Sequence, residues 1–157
     1  MGNHLEPFTC QCLFEGLQTL RLRVRRQMEG GRRIAEYLRA HPKVERVLYP
    51  LFEDHPGYAV HRKQSTGFTG MLSFYLRSED FDVLCEFARN LKLFKFGTSL
   101  GGVDSLVDHY GGTMRIFYPT KELQAARGYT DNFYRMSVGI EEPEDLLRDL
   151  AQALEKV

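Results

Sequence analysis

One long run of helical periodicity limits what this chain can become. From Gln11 to about Ala40, Leu13, Leu17, Leu20, Val24 and Met28 recur at steps of three and four residues, and Ala35 and Leu38 continue that face. Arg21, Arg23, Arg25, Arg26, Arg32 and Arg33 occupy much of the rest and read as a solvated polar face. Gly30-Gly31 interrupts the run. Each glycine costs a helix roughly 1 kcal/mol relative to alanine, so a bend or weak point is expected there. The helix should stop before His41-Pro42, because the residue preceding proline is pushed out of the α region. Residues 1–10 read as a loop or frayed end closed by Pro7.

The rest comes in short pieces. Val44–Tyr49 and Met71–Leu76 read as strands, with a turn of helix near Tyr58–Lys63 between them. Ser78 can cap a helix from Glu79 to Leu91, its apolar face being Phe81, Leu84, Cys85, Ala88 and Leu91. Leu93–Phe96 reads as a third strand and residues 107–119 as irregular. Thr120 caps a short helix, Lys121–Arg127, that ends at Gly128. Phe133–Val138 is the fourth strand. Pro143 opens a last helix with Leu146, Leu147, Leu150, Ala153 and Leu154 facing the core. Four strands and flanking helices on one core make an α+β domain, and 157 residues leave little room for a second.

Charge excludes some partners. Lys+Arg and Asp+Glu both number 21, so nothing in the balance asks for nucleic acid or an anionic membrane. No apolar run approaches the roughly 20 residues of a membrane helix. The first residues have neither the basic nor the apolar region of a secretory signal, and Pro7 makes a poor myristoylation match. Cys10, Cys12 and Cys85 have no metal-ligand spacing, and Cys10-x-Cys12 lacks the usual C-x-x-C redox spacing. Reduced thiols in the cytoplasm are the expectation. His55 and His61 have no third ligand nearby and read as surface residues, so no metal site is expected.

Two stretches carry chemistry. Leu93–Phe96 leads into Gly97-Thr98-Ser99-Leu100-Gly101-Gly102-Val103-Asp104-Ser105-Leu106. Such a glycine-serine loop can bring N–H donors and a hydroxyl to an anion, and it can equally make an ordinary turn. In Tyr134-Arg135-Met136-Ser137-Val138-Gly139-Ile140-Glu141 an arginine sits in a strand-like run. The expectation is that Arg135 shares its side of the pleat with apolar Met136 and Val138. A guanidinium in such company needs an acidic partner or a bound anion, and its planar fork suits a carboxylate. An internal ion pair and a bound carboxylate both remain open.

Ser99-Leu100-Gly101-Gly102-Val103-Asp104-Ser105-Leu106 resembles the S-L-G-G-V-E-S-L run, and Arg135–Glu141 the R-L-S-V-G-I-E run, of the pyridoxal-phosphate enzymes of cysteine and methionine metabolism. That family comprises cystathionine γ-synthases, γ-lyases and β-lyases and methionine γ-lyase. Gly16-Leu17-Gln18-Thr19-Leu20-Arg21-Leu22-Arg23 resembles its G-L-K-T-L-x-x-R. Ile34–Leu38, His41–Val44 and Val47–Pro50 resemble its A-x-F-L-x-x-H-P-x-V-x-x-V-x-Y-P, and Gly67–Phe74 its G-F-x-G-M-L-S-F. The likeness runs from about Leu5 to Val157 and concerns the C-terminal part of the family only. It departs at Met28-Glu29-Gly30-Gly31, where the family reads E-N-A, at Tyr110 in place of the proline of H-P-A, and at Thr113-Met114-Arg115 in place of M-T-H. In the family the segment corresponding to residues 107–119, which holds both Tyr110 and Thr113–Arg115, lies near the active-site entrance, so these departures bear on substrate choice or on activity.

The resemblance implies the small C-terminal domain of a fold-type I pyridoxal-phosphate enzyme, with mostly antiparallel strands and helices packed on one face. Residues 1–40 would be an N-terminal loop and the long inter-domain helix, and 41–157 the small domain. It further implies that Arg135 binds the α-carboxylate of a sulfur amino acid and Ser99 helps place it, with Thr98 and Leu100 beside them. Thr98 stands where family members vary. Of Lys43, Lys63, Lys92, Lys95, Lys121 and Lys156, none follows the family's S-x-T-K pattern, and no glycine-rich phosphate loop opens a helix. The expectation is therefore the substrate clamp of a transsulfuration enzyme, closest to cystathionine γ-lyase, with its Schiff-base lysine and large cofactor domain outside this chain. The parent would be a homotetramer and the isolated chain inert. A truncated family member that binds intact enzymes is the alternative.

Overall fold

A computed structural model describes Gly2 and residues 4–157. The long helix α1 spans Pro7–Ala40, with Pro7 in its first turn, where a missing N–H costs nothing. The first turn of α1 thus occupies part of the expected N-terminal loop. It ends at His41, as the following proline requires. There follow β1 Val44–Leu48, α2 Tyr58–Gln64, β2 Met71–Leu76, α3 Phe81–Asn90, β3 Lys95–Phe96, β4 Leu106–Asp108, α4 Tyr110–Thr113, a 3-10 turn Met114–Ile116, α5 Lys121–Ala126, β5 Phe133–Ser137 and α6 Pro143–Leu154.

The strands form one sheet in the order β1-β2-β5-β4-β3, antiparallel except for the β3–β4 pair. The two-residue period of β2 and β5 sorts their side chains. Leu72, Phe74, Leu76, Tyr134 and Met136 face a core completed by Ile34, Ala35 and Leu38 of α1, Leu84 and Phe87 of α3, and Leu146, Leu150, Ala153 and Leu154 of α6. The opposite face carries Ser73, Tyr75, Phe133, Arg135 and Ser137. Part of it is covered by the 110–131 segment, where Tyr110 packs edge-on against Tyr129 and Phe133.

Several expectations need correction. Residues 106–108 form a fifth strand, and the segment after it is helical rather than irregular. Leu106-Val107-Asp108 is too short to show a period in sequence; it is a strand because β5 offers it the ladder Leu106↔Ser137, Val107↔Met136, Asp108↔Arg135. The cap of α3 is Asp80, not Ser78: its carboxylate accepts from the amides of Asp82 and Val83. Phe87, rather than Phe81, belongs to that helix's buried face.

Gly30-Gly31 does not break α1, which runs through both residues. A Cβ on Gly31 would lie 2.7 Å from the Thr69 carbonyl oxygen, and one on Gly30 would lie 2.9 Å from Val138. The glycines are there so that the helix can press onto the ends of β2 and β5. N-terminal to Gln27, no described residue of α1 is buried, so Leu13, Leu17, Leu20 and Val24 face outward. Ion pairs from Arg26 to Glu142 (2.6 Å) and from Arg33 to Glu144 (2.5 Å) tie the buried half to the start of α6.

Candidate substrate-carboxylate site

The glycine-serine loop leaves β3 at Gly97 and returns as β4 at Leu106, crossing the end of the sheet where β5 stops. Its ends are closed by main-chain bonds: Gly97 N–H to Val107 O (3.0 Å), Lys95 N–H to Ser105 O (2.9 Å) and Ile140 N–H to Val103 O (2.9 Å). Gly101 has φ +73°, a left-handed conformation that only glycine takes without strain. Ser105 is fully buried; its N–H and hydroxyl both donate to the Glu141 carboxylate (2.6 and 2.8 Å), and its oxygen accepts the Gly139 N–H (2.9 Å). The second serine is therefore a brace for the loop.

Three side chains from outside hold the exposed middle of the loop. The Ser137 hydroxyl accepts the Gly101 N–H at 2.9 Å. Gln27 of α1 donates through Nε2 to the carbonyls of Gly101 (3.2 Å) and Gly102 (2.8 Å). Arg135 donates through Nη2 to the carbonyl of Thr98. Thr98, Ser99 and Leu100 themselves stay exposed.

Arg135 and the Ser99 loop are thus brought together, as expected, but the company of Arg135 is not. Met136 and Val138 lie across the strand on the core side, while Arg135 shares its face with Phe133 and Ser137. The expectation failed because adjacent strand residues point to opposite faces. No acidic partner lies within ion-pair distance of Arg135 among the described residues. Its guanidinium sits 5.2 Å from the Tyr110 ring centre, half-buried, with one N–H on the Thr98 carbonyl. The remaining N–H donors of that fork have no partner among the described residues, and a carboxylate matches them in charge and shape.

Directly across from Arg135 in the ladder is Asp108, fully buried. One carboxylate oxygen accepts from the Thr113 hydroxyl (2.9 Å); the other has no partner among the described residues. Beside it His109 stacks on Tyr134 with centroids 4.6 Å apart and planes 9° apart, its Nε2 2.5 Å from the Asp131 carbonyl oxygen. That bond sets Nε2 as the protonated nitrogen. Burial pushes the pKa of His109 below the usual histidine value, partly offset by the hydrogen bond and the charge of Asp131.

Sequence reasoning missed Ser137 and Gln27 as parts of this site and flagged Tyr110 only as a departure from the family's pattern near the active-site entrance. Gln27 left a trace: it stands three residues after Val24, on a stripe that is otherwise apolar. Ser137 left none, because its role comes from register, and the contact of Tyr110 with Arg135 comes from the path of the 110–131 segment. Among the described residues, no three metal-ligating side chains cluster and no helix is long and apolar enough to cross a membrane.

The chain resembles known proteins over nearly all of its length. A family model described as "Cys/Met metabolism PLP-dependent enzyme" matches residues 1–155. The chain is 38% identical over 156 residues to an L-methionine gamma-lyase of Fusobacterium nucleatum, covering 99% of this chain and 39% of the relative. It is 38% identical over 154 residues to the cystathionine gamma-lyase of Rattus norvegicus, covering 98% and 38%. A crystal structure of cystathionine gamma synthase from Xanthomonas oryzae pv. oryzae in complex with cystathionine superposes with a TM-score of 0.81 at 39% identity, over 90% of this chain and 36% of that one. The chain therefore spans about two-fifths of the length of the curated relatives it matches.

Proposed function

The chain belongs to the Cys/Met metabolism PLP-dependent enzyme family, and from that premise we propose that it is the substrate-clamping C-terminal domain of a transsulfuration enzyme. The parent reaction is β- or γ-elimination or replacement on cystathionine or a related sulfur amino acid. In this reading residues 1–40 carry the inter-domain helix and 41–157 the small domain. Arg135 receives the substrate α-carboxylate, and the Ser99 hydroxyl helps to place the substrate from the rim of the loop. The observation that carries the reading is the state of Arg135: oriented by the Thr98 carbonyl, unpaired by any acid among the described residues, and open on its remaining donors next to the loop that carries Ser99.

Pyridoxal phosphate, when bound, supplies the electron sink for such chemistry. In this reading its seat lies elsewhere. The amino groups of Lys43, Lys95 and Lys156 are engaged, by the Leu154 carbonyl, Asp104 and Asn90 respectively. The glycine-serine loop opens a strand rather than a helix, and its Gly101 amide is already spent on Ser137. We place the Schiff-base lysine, the phosphate cup and the large domain outside this chain, and the homotetramer with the parent.

Two measurements test the reading. Mixing the chain with pyridoxal phosphate, reducing with borohydride and weighing the product should give no stoichiometric adduct on a single lysine; such an adduct would overturn the division of labour. Supplying a complementary large domain should restore elimination, and Arg135→Ala should then cost a hundredfold or more in kcat/KM, as expected for losing a charge-assisted partner of the substrate. Near wild-type activity in that variant would remove the carboxylate assignment.

A second reading is favoured by the outward-facing Leu13, Leu17, Leu20 and Val24 of α1. In it the chain is a non-catalytic partner that docks on the large domain of intact family members. Co-elution with a full-length enzyme on size exclusion supports it, and a chain that ignores that enzyme counts against it.

A further inference from the structure

On the core side of the sheet, a thiol and an imidazole meet. Cys85 is half-buried on α3, and its Sγ lies 4.0 Å from His109 Nδ1, the long end of a sulfur hydrogen bond. The other ring nitrogen, Nε2, donates to the Asp131 carbonyl at 2.5 Å, and a carbonyl can only accept. The neutral ring therefore presents a lone pair at Nδ1. Among the described residues, the Cys85 thiol is its one hydrogen-bond partner. Phe81 and Tyr134 hold the ring from two sides, at centroid distances of 5.4 and 4.6 Å. A nucleophile, a base within its reach and a third group that fixes the tautomer of the base form the arrangement that activates thiols.

The other two thiols are placed differently. Cys10 is exposed and donates to the Leu5 carbonyl at 3.9 Å, which cannot take the proton away. Cys12 is exposed and hydrogen-bonds to no described residue. His109 is also in the right state to act. Burial holds its pKa below the usual histidine value, against Asp131 and Asp108, which raise it, and with Arg115, which lowers it further. At neutral pH the ring is a free base.

We propose that Cys85 and His109 form a reactive thiol–imidazole pair, the site at which a hydroperoxide oxidises this chain, and that oxidation there loosens the segment covering the Arg135 face. The thiol proton passes to His109 Nδ1 as the sulfur attacks the near oxygen of the peroxide. The S–O bond forms, the O–O bond breaks, and the departing oxygen takes the proton back from the imidazolium. Cys85 loses two electrons and becomes the sulfenic acid; the hydroperoxide gains them and leaves as the alcohol, or as water from hydrogen peroxide. The new oxygen must fit between α3 and a ring that is 4% exposed and anchors Asp131. The residue after that ring is Tyr110, whose own ring lies 5.2 Å from the Arg135 guanidinium. Crowding at His109 is thereby passed to both ends of the 110–131 segment.

The test uses the reduced 157-residue chain and one equivalent of hydrogen peroxide, with dimedone as the sulfenic-acid trap and peptide mass spectrometry to count each cysteine separately. Cys85 should be labelled at least about tenfold faster than Cys10 or Cys12, although it is the least exposed of the three. His109→Gln should remove that lead and leave the rates at Cys10 and Cys12 unchanged. A His109 that only packs would give the reverse, because the smaller side chain uncovers the thiol and speeds its labelling. Should that variant not fold, the ranking of the three thiols in the unaltered chain still decides. Without the trap, the amide resonances of Tyr110 and Asp131 should move on oxidation, and should stay in place in Cys85→Ser treated alike. Labelling of Cys85 no faster than of the exposed thiols, or unchanged by His109→Gln, overturns the pair. Unmoved Tyr110 and Asp131 amides in a chain oxidised at Cys85 overturn the loosening of the segment.

Discussion

Gln27 of α1 and Gly102 of the glycine-serine loop are joined by a 2.8 Å hydrogen bond from the amide nitrogen of one to the carbonyl of the other, across 75 positions of sequence. The same nitrogen reaches Gly101, so one buried side chain couples the long helix to the loop that carries Ser99. Gln27→Ala should lower stability by about 1–2 kcal/mol, the net worth of such bonds, and should speed hydrogen exchange at the Gly101 amide. Gln27→Glu should cost more, because it turns a carboxylate toward two carbonyl oxygens. Denaturant titration gives the first quantity and NMR exchange the second. Equal exchange in all three chains would mean that the loop is held by Ser137 and Arg135 alone.

Gly31 offers a prediction whose sign depends on packing. In an isolated helix, glycine to alanine gains roughly 1 kcal/mol. Here the added methyl would lie 2.7 Å from the Thr69 carbonyl oxygen and 3.0 Å from Gly70 Cα, both main-chain atoms that cannot swing away. Gly31→Ala should therefore destabilise by about 1–3 kcal/mol, as overpacking does. Gly16→Ala, further up the same helix, meets nothing nearer than Arg23 Nη2 at 4.0 Å and should stabilise by roughly 0.5–1 kcal/mol. Melting curves of the two variants should move in opposite directions.

That contrast shows what could be read from the sequence and what could not. The α+β class, the extents of β2 and α2, the cap of α5 at Thr120 and the first turn of α6 at Pro143 were legible, because each rests on local periodicity or a local capping residue. That Arg135 would lie against the glycine-serine loop, where it meets the Thr98 carbonyl, was reached through motif resemblance and not through physics alone. The strand at 106–108 was invisible because it exists only as a partner for β5. Gly30-Gly31 was misread because glycine in a helix looks like weakness until the backbone lying against it is known. Arg135 was given the wrong neighbours by a slip of one residue in the pleat, enough to exchange the core face for the open face.

His109 makes stability depend on pH in a defined window. Its pKa in the folded chain lies below the 6.5 of an ordinary histidine, chiefly because burial disfavours the charged ring. The unfolded chain therefore binds a proton first as pH falls, and stability is lost from about pH 6.5 downward until the folded pKa is reached. His41, lowered by burial and by Lys43, adds in the same direction. The exposed carboxyls Glu122 and Glu144 are lowered from 4.5, so what they contribute is lost only at more acid pH. Denaturation midpoints should thus fall between pH 7.5 and 5.5. His109→Phe keeps an aromatic ring against Tyr134 but cannot titrate, so it should flatten that slope even if it lowers the plateau. An unchanged slope would assign the dependence to other groups.

The outward stripe of α1 should behave in the isolated chain as surface, not core. Leu17 is 66% exposed and Leu20 is 41% exposed, on a helical segment whose stability owes little to what lies around it. Leu17→Glu and Leu20→Glu should each change the unfolding free energy by no more than about 0.5 kcal/mol, the range of ordinary surface substitutions, whereas Leu38→Ala at the buried end of the same helix should cost about 2–5 kcal/mol. The same two glutamates should matter where the stripe has something to cover it. With a complementary large domain present, the double variant should lose association, seen as separate boundaries in sedimentation velocity, while the far-UV spectrum of the chain stays the same. If the double variant instead unfolds the chain on its own, the stripe is packed within this domain in solution and α1 does not project as described.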